Sequence, residues 1–275
     1  MRSLAKPRRT RSRISLNHSL GFLVTPPQRL DMPCQLLSGK TALVTGGARR
    51  IGRGIALALA ASGADVAITY LTSQPESADT VCEIEAMGRR SLALECDVRS
   101  ELSVRKTIAA VSALGRLDVL VNNAAVFDSA PLDAIAIAQW DRVFETNARG
   151  PFLLAREALP HLRASRGRIV NIGSLGGLRA WAGHADYCAS KSALHMLTQT
   201  MAKAFAPEIS VNCVAPGWID VGQDRGDLAA HFSAKTPLGR NGTVQDVADA
   251  VLFFAAGTAF VTGQILAVDG GLGLV

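Results

Sequence analysis

The stretch Asp186-Tyr187-Cys188-Ala189-Ser190-Lys191 sets a phenol four residues ahead of an amine in a run of small side chains. On a helix rising about 1.5 Å per residue, the two groups share one face about 6 Å apart. A free phenol ionises near pH 10, so a tyrosine exchanging protons at neutral pH starts about 4 kcal/mol from a matched acid. An ammonium at that range favours the phenolate, and the expectation is that Lys191 draws the Tyr187 pKa down. A lone Y-x-x-x-K also occurs on ordinary amphipathic helices, with the ring half buried and the amine in water. The rest of the chain must decide between the two.

The elements that would position this pair follow from hydrophobic periodicity. Short apolar runs at 41–45, 66–70, 92–96, 119–122, 169–172, 211–214 and 265–268 read as seven strands. Between them, residues such as Ile51, Ile55 and Leu59, or Val104, Ile108 and Val111, recur at helical spacing. Strands apolar on both faces and joined by helices make a parallel sheet covered on both sides, a single doubly wound α/β domain of the Rossmann type. Its ligand crevice lies beyond the carboxyl ends of the strands. Residues 217–240 break the rhythm with no clean strand and several Gly, Asp and Pro, and are expected to form a lid over the substrate.

The first strand runs into Thr45-Gly46-Gly47-Ala48-Arg49-Arg50-Ile51-Gly52 and then a helical run. Glycines at such a turn let the main chain approach a pyrophosphate, and the helix N-terminus turns free N–H groups toward it. Gly46, Arg49, Arg50, Ile51 and Gly52 are therefore candidate dinucleotide contacts. An NAD-selective site places an acid at the end of the second strand. Here that position is Tyr70, followed by Leu71, Thr72 and Ser73. With no acid there, Arg49, Arg50, Thr72 and Ser73 are expected to hold a 2′-phosphate, so NADP(H) is the preferred cofactor, with NAD(H) the alternative.

Charge separates the chain into two parts. Residues 1–31 carry seven of the 29 basic residues against Asp31 alone, leaving 22 basic and 22 acidic residues in the remainder. A neutral body has no basic stripe for nucleic acid, and no partner of that kind is expected. Residues 1–35 read as a basic, disordered extension, with translation from Met32 and an organelle transit peptide as the other readings. Residues 36–275 read as the catalytic domain. The apolar runs are all too short to span a membrane. Five cysteines without metal-ligand spacing suit a reducing cytoplasm, and no metal site is expected.

Taken in order, the Gly-rich turn, Asp97-Val98, Asn122-Asn123-Ala124-Ala125, Asn147, Ser174, Tyr187-x-x-x-Lys191 and Asn212 to Gly217 resemble the short-chain dehydrogenase/reductase family over residues 37–275. Asn147 precedes Ser174 by 27 residues and Ser174 precedes Tyr187 by 13, as in that family. The resemblance implies hydride transfer between a nicotinamide and a carbonyl or alcohol. Tyr187 would act as the acid, Ser174 would hold the substrate oxygen, Lys191 would bind the ribose, and Asn147 would position a water. It also implies that Asp97 and Val98 meet the adenine, that Asn123 and Ala124 line the ribose, and that Pro216, Gly217 and Ile219 border the nicotinamide. Asn212 and Asp118 read as structural. An oxidised nicotinamide would add to the pull of Lys191 on the phenol.

Much of the sequence resembles the 3-oxoacyl-carrier-protein reductases, including Pro237-Leu238-Gly239-Arg240. Arg50, in place of the common glycine, and the short link from Phe205 to Asn212 are similar to the pteridine reductase branch. The resemblance further implies a homotetramer. A rival from another class, a cofactor-sensing protein without catalysis, would be expected to have lost Tyr187 or Lys191.

Overall fold

The computed structural model describes residues 35–112, 114–222 and 226–275. The readings made of the segment 1–34 lie outside the described residues. In chain order the elements are β1 (Thr41–Val44), α1 (Arg50–Ala61), β2 (Asp65–Tyr70), α2 (Gln74–Ala86), β3 (Ser91–Glu95), α3 (Glu101–Ser112) and β4 (Val119–Asn122). There follow α4 (Ile137–Phe144), α5 (Gly150–Ser165), β5 (Arg168–Ile172), α6 (Ala185–Ala204), β6 (Ser210–Pro216), β7 (Ile219–Asp220), α7 (Gly226–Lys235), β8 (Gly242–Thr243), α8 (Val244–Ala256) and β9 (Ile265–Val268).

Seven strands form one parallel sheet in the order β3-β2-β1-β4-β5-β6-β9, each within about two residues of the run that predicts it. The alternation of side chains along each strand feeds two cores. Ala42, Val44, Val66, Ile68, Val121 and Val170 pack under α1 and α8, against Ile55, Leu59 and Val251. Leu43, Ala67, Leu120, Ile169 and Val211 face the other way, against Leu154, Leu162 and Met201 of α5 and α6. Helices thus cover both faces, and burying each such side chain contributes about 1.5 to 3 kcal/mol.

Because β1 lies between β2 and β4, the chain leaves β1 and β4 in opposite directions along the sheet, and a crevice opens beyond the strand ends at that reversal. The ends of β1, β2, β4, β5 and β6 all deliver loops there. Asp118 is structural, as read: buried, it accepts the Thr41 N–H at 3.0 Å and pairs with Lys40 at 3.1 Å. So is Asn212, whose amide bonds the Val261 carbonyl at 2.8 Å and the Gln264 N–H at 3.0 Å.

The segment 217–240 is more ordered than its composition suggests. β7 pairs with β8 through Ile219↔Gly242, and α7 fills Gly226–Lys235. Two-residue strands carry no readable alternation, and α7 presents only Leu228 and Phe232, one turn apart, to the crevice. Those two points explain why periodicity alone misses both elements.

Candidate active site

One cavity of about 1080 Å³ runs along the carboxyl edge of the sheet, from Arg49 and Thr72 to Tyr187, Trp218 and Phe232. At one end the β1–α1 turn is pressed flat. A Cβ on Gly52 would fall 2.1 Å from the Gly46 carbonyl oxygen, so no larger residue fits there. Gly46 sits at φ +63, the left-handed region that glycine adopts freely. The Asn123 amide donates to the Thr45 carbonyl at 2.8 Å, and Thr45 Oγ1 accepts the N–H groups of Asn123 and Ala124 at 2.9 and 3.0 Å. α1 starts at Arg49 with no side-chain cap, leaving its first N–H groups facing the turn. A flat cradle of this kind with an uncapped helix above it fits a pyrophosphate.

Arg50 adopts φ 53, which accounts for glycine being the commoner choice at such a position and costs a side-chain-bearing residue about 1 kcal/mol. Arg49 and Arg50 are exposed, and neither guanidinium has an ion-pair partner among the described residues. Arg53, by contrast, pairs with Glu83 at 2.5 Å. Tyr70, Thr72 and Ser73 line the same rim. Further along, Cys96, Asp97 and Val98 form a wall, with the Asp97 carboxylate held by Arg99 at 2.8 and 2.9 Å. That double hydrogen bond holds the Asp97 pKa below the usual carboxylate range. Ile51, Ala124, Pro216, Gly217 and Ile219 complete the expected cofactor set, and all of them line the cavity.

Ser174, Tyr187 and Lys191 meet on one wall of that cavity. Ser174 follows β5 and caps a short turn, its Oγ accepting the Gly176 N–H at 3.0 Å. With the oxygen held from that side, the hydroxyl proton is free to point into the cavity. Tyr187 and Lys191 stand on successive turns of α6, and the Lys191 Nζ is 5.7 Å from the centroid of the Tyr187 ring.

Here the sequence-based expectation is reversed. Burial pushes the Tyr187 phenol up to about 12, with the Ser174 hydroxyl opposing the rise. Burial also lowers Lys191 to about 8. The physical reason is that both groups are withdrawn from water, while the amine donates to the Ile172 carbonyl at 2.7 Å instead of to the phenol.

Asn147 is placed behind the wall, not on it. It lies in a π-helical turn, Glu145–Arg149, between α4 and α5 and is fully buried. Its Oδ1 accepts the Val126 N–H at 2.9 Å, and its Nδ2 donates to the Val126 carbonyl at 2.9 Å and to Ser190 Oγ at 3.1 Å. The amide therefore braces the loop after β4 against α6, and the π turn is what carries the side chain inward.

Two histidines escape the sequence reading, His184 on the cavity and His195 behind it. Phe127 stacks on His184 at 4.4 Å and meets the Tyr187 ring edge-on at 4.7 Å. His184 Nδ1 bonds the Asp128 carbonyl at 2.7 Å. His195 lies behind Ser174, its Nε2 accepting that residue's main-chain N–H at 3.4 Å. The four-residue repeat Tyr187, Lys191, His195 is the signal that would have found the last of them. Among the described residues no group of His, Cys, Asp or Glu is arranged to hold a metal ion.

The chain is similar to known proteins over most of its length. The family model described as Enoyl-(Acyl carrier protein) reductase matches residues 8–273. The 3-oxoacyl-acyl-carrier-protein reductase of Staphylococcus aureus (strain Mu50) is 39% identical over 240 residues, covering 85% of this chain and 98% of that one. The L-rhamnose 1-dehydrogenase (NAD(P)(+)) of a Sphingomonas species is 36% identical, covering 86% and 98%. A solved blue fluorescent protein from a metagenomic library, in complex with NADPH, superposes with a TM-score of 0.80 at 40% identity, covering 86% and 98%. Matches of this extent, on a seven-stranded parallel sheet with this turn and this wall, place the chain in the short-chain dehydrogenase/reductase family, as an NAD(P)-dependent oxidoreductase.

Proposed function

We propose that this chain is an NADP(H)-dependent reductase that converts a ketone, in the first instance a 3-oxoacyl thioester, to the hydroxyl compound. The observation that carries the reading is Ser174 beside Tyr187 on the cavity wall, the serine oxygen already bonded to the Gly176 N–H. A bound nicotinamide supplies hydride to the carbonyl carbon. Tyr187 gives its proton to the oxygen as negative charge develops there, and Ser174 donates a hydrogen bond that fixes the oxygen's direction. The Lys191 ammonium offsets the charge left on the phenolate and holds the ribose hydroxyls. Asn147, by holding Ser190, fixes the helical turn between Tyr187 and Lys191. The loop after β4 and the 217–240 segment enclose the substrate end.

Several features support NADP(H) over NAD(H). Arg49 and Arg50 stand on the rim without an ion-pair partner among the described residues, hydroxyls follow Tyr70, and no acid sits at that strand end. The NADPH complex of a relative that is 40% identical points the same way. By analogy with the family the reductase is a homotetramer, and the free cysteines among the described residues suit a reducing cytoplasm.

A second reading is favoured by the aromatic groups. Phe127 and Trp181 flank Tyr187, with centroids at 4.7 and 6.3 Å, and Trp218 stacks on Phe232 at 4.3 Å across the cavity. Such walls suit a planar ring, as a pteridine reductase requires. NADPH oxidation measured across 3-oxoacyl thioesters, enoyl thioesters, simple ketones and dihydropterins separates the readings. Turnover of the 3-oxoacyl thioester above all others supports the first reading, and turnover of the pterin alone replaces it with the second. No turnover of any of these compounds overturns both.

A further inference from the structure

α6 carries a titratable side chain that the reaction above does not use. His195 follows Lys191 by one turn and is 6% exposed. It is wedged under the loop after β5. A Cβ on Gly173 would lie 2.3 Å from its Nε2, and one on Gly177 would lie 2.5 Å from its Cε1. Ser174 is thus gripped from two sides: its N–H donates to His195 Nε2 at 3.4 Å, and its Oγ accepts from Gly176 at 3.0 Å.

The other ring nitrogen, Nδ1, is buried without a hydrogen-bond partner among the described residues. The Gly177 carbonyl favours a proton on the ring, but it accepts its hydrogen bond from Ser192 Oγ at 2.9 Å. An idle polar atom in the interior is a cost that leucine, of similar volume, would avoid. What histidine offers here and leucine does not is an acceptor at Nε2.

An acceptor at Nε2 requires a neutral ring with its proton on Nδ1. The titratable groups against the ring are Lys191 on its own helix and Cys213 on β6, whose sulfur flanks the same face of Gly173. Burial first, and then the Lys191 ammonium, hold His195 down at about 4, so the ring is neutral at neutral pH.

We propose that His195 is a positioning residue for Ser174: its neutral imidazole accepts the serine main-chain N–H from behind and so sets the direction in which the serine hydroxyl meets the substrate oxygen. This rests on the role given to Ser174 above.

The test pairs His195→Leu, which keeps volume and loses the acceptor, with His195→Gln, whose side-chain oxygen reaches the place of Nε2. His195→Leu is expected to lower kcat for ketone reduction on the order of tenfold with the KM for NADPH unchanged, and His195→Gln to restore most of it. The acid limb of kcat, which sets in as pH falls toward 4 in the wild type, should be absent from His195→Gln. Equal turnover in the Leu and Gln variants overturns the proposal. Ring nitrogen NMR of the wild type gives an answer even if the Leu variant does not fold: a neutral ring protonated on Nδ1 supports the proposal, and one protonated on Nε2 overturns it. Wild-type turnover in Ser174→Ala would instead remove the reading of Ser174, whatever the tautomer of His195.

Discussion

The ammonium of Lys191 stands 5.7 Å from the centroid of the Tyr187 ring and spends a hydrogen bond on the Ile172 carbonyl at 2.7 Å. The tyrosine, at about 12, keeps its proton throughout the neutral range. In the proposed reaction lysine would act on the phenol through space, once the proton has left.

Removing the proton should show most in the chemical step. Tyr187→Phe keeps the ring that packs edge-on to Phe127 and removes only the hydroxyl. The expected loss in kcat for ketone reduction is on the order of 10²- to 10⁴-fold, with NADPH affinity by fluorescence titration changed by less than about twofold. Wild-type turnover would take the acid role from Tyr187.

The pH profile should report the lysine. Its amine is lowered to about 8, so it carries charge below that pH and sheds it above. In the proposed reaction that charge balances the phenolate, hence kcat/KM for the ketone should be level from above the acid limb near pH 4 up to pH 8 and decline above it. Lys191→Arg, charged at every accessible pH, should move that decline to higher pH even if its plateau is lower. A profile flat to pH 10 in the wild type would refute the assignment.

The proposed preference for NADP(H) rests on Arg49 and Arg50, which have no ion-pair partner among the described residues. Both are exposed, so water screens their reach, and their effect comes from charge-assisted contact with a phosphate. The double variant Arg49→Ala with Arg50→Ala should raise the KM for NADPH about tenfold or more and leave that for NADH nearly unchanged. Equal rises for both cofactors would argue against NADP selectivity.

The sequence carries the sheet well because most strands of the main sheet centre on a short apolar run, and the central runs feed two buried faces. It carries Ser174, Tyr187 and Lys191 because their order and spacing are set by one loop and one helix. It misses α7 and β7, where the apolar signal is a single pair of residues. The reversed Tyr187 pKa is also out of reach, because it depends on burial and on which oxygen the amine faces. Asn147 is found by position, without its side-chain partners. Only the π turn shows that its amide points at Val126 and Ser190.

The cradle offers a test that leaves charges alone. Gly52→Ala places a Cβ 2.1 Å from the Gly46 carbonyl oxygen and 2.5 Å from the Asn123 amide, so the β1–α1 turn must open. Binding of NADPH and NADH should weaken together, by more than tenfold in a titration. Wild-type affinity for both would show that the turn does not hold the pyrophosphate.

Lys191 is also where function and stability conflict. The residue is 3% exposed and its pKa falls from 10.5 in the unfolded chain to about 8, so the folded state disfavours the charged form. Between pH 8 and 10.5 the unfolded chain binds the extra proton, and this residue makes stability rise with pH. Below pH 8 the full penalty applies, on the order of 3 kcal/mol before the hydrogen bond to Ile172 offsets part of it. Lys191→Met removes both the penalty and the bond. At pH 7 the variant should therefore melt at or above the wild-type temperature while losing turnover. Its margin over the wild type should shrink toward pH 10 as the wild-type amine loses its proton. Thermal unfolding of the two proteins side by side at pH 7 and pH 10 measures that margin directly. A variant clearly less stable at pH 7 would mean that the Ile172 hydrogen bond outweighs the cost of burying the charge.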